Sequence, residues 1–248
     1  MKFILHQCND ADRIQHGLND PAFDGIEVDF HVYHGQVRIG HEASGTPTVD
    51  GISVHDVGMM LRETGKFLVV DLKAPNPVSM VLVNDARFML EQLSREIPLD
   101  VPLFVAGYVR DWQPVVRATI DMWNGRNVTY FVNAFRLHHF QRKFRRPGIR
   151  FGLNRGYQPS AIKQFFADVL PAMLEEHEET ADYGKALKSA FQPLTSKEAA
   201  AWKQADVRMA WTITSRELLD EARKLEPDYV IVDEFPDVDA AIADASRF

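Results

Sequence analysis

Eight short apolar runs, spaced along 248 residues and separated by stretches of helical character, constrain this chain more than any other feature. They read FILH (3–6), GIEVDF (25–30), FLVVDL (67–72), PLFVAG (102–107), TYFVNA (129–134), IRFGLN (149–154), RMAWTIT (208–214) and YVIVDEF (229–235). Continuous Val, Ile, Leu and Phe is the pattern of a strand buried on both faces, as in a parallel sheet covered by helices. Between the runs, apolar residues recur at helical spacing over 79–95, 112–123, 135–144 and 215–224. A further long helix is expected from Pro159, with a kink at Pro171, and the polar stretch 178–206 also reads as helical. VRIGHE (37–42) is an extra extended piece after the second run. Eight strands and a length near that of one closed barrel predict an α/β fold, a single (β/α)8 TIM barrel over 1–248.

Composition narrows the function classes. Net charge is -7, so nothing draws the chain to nucleic acid or to an anionic membrane surface. Cys8 is the single cysteine, which excludes an internal disulfide and agrees with a reducing compartment. The opening MKFILHQCND is too short in apolar residues for a signal-peptide core, and no run approaches the length of a membrane span. The expectation is a cytoplasmic protein without stable membrane insertion.

The runs end on chemistry. His6, Glu27 and Asp29, His41, and Asp71 with Lys73 all fall where an apolar segment passes into its following loop. In a parallel barrel that edge is where ligands bind. Glu27 and Asp29 are two apart, hence on one face of a strand, and two such carboxylates repel unless a cation or a shared proton intervenes. Asp71 closes a wholly apolar strand, where a carboxylate is costly unless paired, and Lys73 supplies part of that pairing. All-oxygen donors favour a hard cation, Mg2+ first and Ca2+ second. Two imidazoles, His6 and His41, are suited to proton exchange near neutral pH, and a lysine to a phosphate. Solvated strand-end acids and an ordinary Asp–Lys pair are the plainer readings of the same residues.

In this order the residues resemble the glycerophosphodiester phosphodiesterase superfamily: His at the end of the first strand, Gly-Ile-Glu-x-Asp, Gly-His-Glu, Asp-Leu-Lys, and the closing YVIVDEFPDVDAAI (229–242). The resemblance covers 3–73 and 207–242. It implies a TIM barrel that cleaves a phosphodiester with a divalent metal. By position it makes Glu27, Asp29 and Asp71 the metal ligands, His6 and His41 the acid–base pair, and Lys73 a phosphate contact. Two departures turn it toward the sphingomyelinase D / phospholipase D branch. The first strand is followed by Gln7-Cys8-Asn9 where the superfamily has Arg-Gly, and only residues 42–66 separate His41 from the third strand. His-x-x-Asn, Asp-Leu-Lys and Trp211 fit that branch.

Asn9, Arg110, Asn154 and Trp211 are the candidate substrate-binding residues: Arg110 as a replacement for the missing arginine, Trp211 as an apolar platform. Asn133 and Arg155, also at strand ends, read equally well as turn residues. His31, His34, His138 and His139 read as surface residues, and Arg142, Lys143, Arg145 and Arg146 as a solvated helix end. The expected partner is a small-molecule phosphodiester. Rival readings are a catalytically silent barrel that binds a ligand or protein, as in the menorin-like proteins that share His-x-x-Asn, and a metal-dependent barrel aldolase.

Overall fold

The computed structural model describes residues 1–40, 52–74, 80–132, 134–156, 194–235 and 238–245. His41, Asn133, Pro159, Pro171 and most of the 178–206 stretch lie outside the described residues.

Nine strands form one sheet. They are β1 (Lys2–Leu5), β2 (Gly25–Tyr33), β3 (Gln36–Ile39), β4 (Phe67–Leu72), β5 (Leu103–Gly107), β6 (Val128–Phe131), β7 (Ile149–Gly156), β8 (Val207–Ile213) and β9 (Tyr229–Val232). Their order is β1-β9-β8-β7-β6-β5-β4-β2-β3, with β1 also paired to β2. All pairs except β2–β3 are parallel, so eight strands close into the expected barrel. β3, the expected extra piece, folds back antiparallel on β2 outside the ring. The two-residue turn His34-Gly35 has positive φ at both positions (48° and 72°), the twist that a tight hairpin requires.

The described helices are α1 (Ala11–Asn19), α2 (Val54–Thr64), α3 (Val83–Glu96), α4 (Trp112–Thr119), α5 (Leu137–Lys143), α6 (Ser196–Gln204), α7 (Arg216–Arg223) and α8 (Val238–Ala245). Their starts are written locally. Asp10 caps α1 by accepting from Arg13 N, and Ser53–Asp56 and Thr195–Glu198 form reciprocal capping boxes on α2 and α6. The helix expected from residue 79 begins later. Val81 donates its N–H to Tyr108 O (2.9 Å) and accepts from Arg110 N (3.0 Å), which keeps this segment extended until Leu82.

Two apolar layers follow from strand alternation. The larger lies between strands and helices. The smaller fills the barrel: Ile4, Phe67, Val69, Phe104, Ala106, Phe131, Val207, Met209 and Ile231, with Trp211 and Tyr229 packed against them. At the N-terminal end of the barrel, the Phe67, Phe104 and Tyr229 rings meet at centroid distances of 4.7–5.2 Å. Gly25 leaves room for the Phe67 ring, since a Cβ there would lie 2.6 Å from it. The Lys2 ammonium and Arg150 guanidinium sit over Phe67 and Phe104 at 6.0 and 5.9 Å. Among the described residues these rings fill this end, and the buried carboxylates gather at the other.

Candidate active site at the C-terminal mouth

The inward rows of β2 and β4 change character along the strand. Gly25 pairs with Phe67, Glu27 with Val69, and Asp29 with Asp71. The apolar interior therefore gives way to carboxylates at the edge where parallel barrels carry their sites. Glu27, Asp29 and Asp71 are 3%, 1% and 9% exposed. One oxygen from each lies within 4.8 Å of the others.

Each carboxylate is held from outside the cluster. Gln7 adopts a left-handed φ of 50°, uncommon for a side-chain-bearing residue, and its N–H reaches Glu27 Oε2 at 2.7 Å. Asn9 is spent on Asp29: its Nδ2 donates to Asp29 Oδ2 (2.6 Å), and its Oδ1 accepts from Asp29 N (2.9 Å). The sequence suggested a substrate contact at Asn9; in the structure one end of its amide bonds the Asp29 carboxylate and the other the Asp29 backbone N–H. Lys73 Nζ donates to Asp71 Oδ2 at 2.7 Å and stands 3.1 Å from Asp29 Oδ1. The second approach is an ion pair without hydrogen-bond alignment, so Asp29 Oδ1 is buried with no hydrogen bond.

Charge does not balance here. Burial, then the neighbouring charges of Asp29 and Asp71, push the Glu27 carboxyl well above its ordinary range. Burial also raises Asp71, with Lys73 opposing and Asp29 adding to the shift. Burial works against the charge on Lys73, yet Asp71, Asp29 and Glu27 together hold its pKa above the ordinary lysine range. Three carboxylates thus share one ammonium. A buried oxygen without a hydrogen bond among the described residues and an all-oxygen donor set fit a hard divalent cation.

His6, half-buried at the end of β1, joins the cluster. Its Nε2 is 3.9 Å from Glu27 Oε2 and 3.4 Å from Thr212 Oγ1, and its Nδ1 is 3.4 Å from Asp233 Oδ2. Trp211, on β8, packs on the barrel interior, and a Cβ at Gly156 would touch its indole at 3.5 Å. Asn154 is half-buried on β7, in register with Met209. Arg110 is exposed beyond β5. Among the described residues neither Asn154 nor Arg110 hydrogen-bonds to the carboxylates. Cys8 is a packing residue: its thiol is buried, bonds Leu5 O at 3.5 Å, and is raised well above its ordinary pKa, chiefly by burial.

Sequence reading missed four participants: Gln7, Arg13, Thr212 and Asp233. Asp233 had a signal, because it lies two residues past the inward Ile231, as Asp71 lies two past Val69. His31 is corrected outright. It is fully buried, its Nδ1 3.1 Å from Gly40 O, because β2 continues to Tyr33 and His31 sits inside the ladder with β3, opposite Arg38. His34, His138, His139 and the arginines around α5 are exposed, as expected.

The molecule is a closed (β/α)8 barrel with an acidic cluster at its C-terminal mouth. No protein-family model matches the sequence, and a search of curated proteins finds no match. Solved structures do share the fold. A phosphodiesterase from Oleispira antarctica, in complex with the product sn-glycerol-3-phosphate, aligns over 98% of this chain and 97% of its own at 15% identity, with a TM-score of 0.57. A glycerophosphodiester phosphodiesterase from Parabacteroides distasonis aligns over 100% and 98% at 12% identity, with a TM-score of 0.55. At these identities the likeness is one of fold.

Proposed function

We propose that the chain is a metal-dependent phosphodiesterase, a phosphoric diester hydrolase acting on a small phosphodiester. The observation that carries this reading is the set of three buried carboxylates sharing one lysine beside a histidine at the barrel mouth. The phosphodiesterases that share the fold support it, as does the product named in the Oleispira structure.

Glu27, Asp29 and Asp71 would hold the cation, Mg2+ in preference to Ca2+, whose charge would offset that of the phosphate. Lys73 supplies a further positive charge toward the phosphoryl oxygens as negative charge spreads in the transition state. His6 accepts the proton of the attacking hydroxyl at Nε2, and His41 returns a proton to the departing alkoxide. The attacker is water or a hydroxyl of the substrate itself, the latter giving a cyclic phosphate.

The missing Arg-Gly after His6, the short 42–66 connection, Asp71-Leu72-Lys73 and Trp211 favour the sphingomyelinase D / phospholipase D side of the superfamily. A sugar or lysophospholipid headgroup then packs against Trp211, with Asn154 and Arg110 as further contacts. Among the described residues no helix is long and apolar enough to cross a membrane. We place the enzyme in the cytoplasm, without a nucleic-acid partner, on charge and cysteine usage.

Turnover of bis-p-nitrophenyl phosphate, lost in EDTA and restored by Mg2+, is the test. Binding of a phosphodiester without turnover would instead make the chain a silent binding barrel. Activity indifferent to EDTA would remove the metal from the reading.

A further inference from the structure

β1 and β9 are neighbours in register, Ile4 with Ile231 and Leu5 with Val232, so the next inward residues along them are His6 and Asp233. Backbone bonds fix both. His6 N donates to Val232 O at 2.9 Å, and Asp233 N donates to Ile213 O at 2.8 Å. Asp233 Oδ1 is fully engaged: Arg13 Nη2 donates to it at 2.7 Å and Glu234 N at 3.0 Å. Arg13 Nε also donates to His6 O at 2.8 Å, so one guanidinium from α1 ties the histidine backbone to the aspartate. Oδ2 is thereby left facing His6 Nδ1, 3.4 Å away. The separation is long for a hydrogen bond, as in catalytic pairs before substrate tightens them.

We infer that Asp233, clamped by Arg13, is a positioning residue that fixes His6 as the Nδ1–H tautomer and so keeps the Nε2 lone pair for the substrate proton. An ionised carboxylate only accepts, so the ring nitrogen facing it carries the hydrogen, and in a neutral imidazole the other nitrogen is then the acceptor. That other nitrogen lies 3.9 Å from Glu27 Oε2, beyond hydrogen-bond reach of an oxygen already taken by Gln7 N–H, and the Thr212 hydroxyl, which can donate, stands 3.4 Å from it. The hydrogen bond from His6, with burial opposing it and the charges of His6 and Arg13 assisting, holds the Asp233 carboxyl below its ordinary range. The carboxylate therefore stays an acceptor. A purely structural Arg13–Asp233 ion pair would need nothing from the imidazole.

This inference deepens the phosphodiesterase reading and rests on it for the use of Nε2, whereas the tautomer is measurable without any substrate. Asp233→Asn separates the two roles. Arg13 still finds the Asn Oδ1, which leaves the amide Nδ2, a donor, facing His6 Nδ1. The ring is then driven to Nε2–H. The experiment is 15N NMR of histidine-labelled protein, at a pH where the ring is neutral, with His6 assigned by its loss in His6→Gln. Wild-type protein should show Nδ1–H, and Asp233→Asn should show Nε2–H. Bis-p-nitrophenyl phosphate turnover should fall about 10–100-fold in kcat, the usual loss for an orienting partner, with KM little changed. Asp233→Ala, which removes both oxygens, is the second variant and should give the mixed tautomers of a free imidazole. Nε2–H in the wild type, or Nδ1–H retained in both variants, overturns the inference. So does a switched tautomer with undiminished kcat. A wild type that turns over no phosphodiester counts against the proposed function alone, and the tautomer comparison still decides the role of Asp233.

Discussion

Asp29 and Asp71 stand opposite each other in register on β2 and β4, both buried, with the Lys73 ammonium 3.1 Å from the first and 2.7 Å from the second. One cation between two buried anions, with Glu27 as a third, leaves a deficit of positive charge that burial makes expensive.

Asp71→Asn should abolish divalent-cation binding measured by calorimetry while leaving the circular dichroism spectrum native. The substitution keeps the shape of the side chain and removes one of three anionic donors. Mg2+ or Ca2+ affinity as high as in the wild type would show that the cluster does not hold the metal.

The two histidines are expected to act as one unit. His6→Ala and His41→Ala should each lower kcat by roughly 10²-fold or more, the scale of general acid–base catalysis. The double variant should lose far less than the product of the single losses. Near-full activity in either single variant would separate the pair.

Trp211 offers an apolar face beside the mouth, so a diester with a bulkier alcohol should surpass glycerophosphocholine in kcat/KM. Trp211→Ala should erode that preference by about 1–3 kcal/mol, the worth of a pocket contact. A substrate panel led by glycerophosphocholine or glycerophosphoethanolamine would return the protein to ordinary glycerophosphodiester specificity.

Phe104 meets Phe67, Tyr229 and Phe131 inside the barrel and is 1% exposed. Phe104→Ala should cost about 3–5 kcal/mol of stability, read from urea unfolding, because the closed ring of strands cannot collapse onto the lost volume. A loss below about 1 kcal/mol would mean that the interior repacks freely.

Asp233 supplies a pH dependence with a definite sign. Its folded carboxyl titrates below the ordinary range. Its contribution is therefore present above the unfolded value and is lost as pH falls through the lowered one. Asp233→Asn should lower stability near neutrality and flatten the acid limb of a Tm-versus-pH curve. Parallel curves for the two proteins would contradict this.

The barrel was legible because its strands are continuous apolar runs that end abruptly. FLVVDL alone announces a buried strand with a carboxylate at its tip, and spacing two puts Glu27 and Asp29 on one face of theirs. The register that sets Asp71 opposite Asp29 is a property of the assembled sheet. What spacing could not show is the partner that comes from elsewhere. Arg13 and Asp233 are separated by nearly the whole chain and meet only because β9 closes on β1. The misreading of His31 has a similar origin: a polar residue just past a strand looks exposed unless the hairpin that covers it is known. Arg126, fully buried against Trp123, is a further case. Its guanidinium lies 5.2 Å from the centre of the Trp123 ring and donates to Ile97 O, a burial that residue type alone does not announce.

Among the described residues, the rings of Phe67, Phe104 and Tyr229 fill the barrel opposite its carboxylates, which leaves the carboxylate edge as the mouth. On the proposed function, a diester entering past Trp211 would release both fragments at that same mouth, and a phosphate monoester beside Lys73 would occupy the ground that the next substrate needs. Traffic at the mouth, as much as bond cleavage among the carboxylates, would then set the pace at which such a barrel can work.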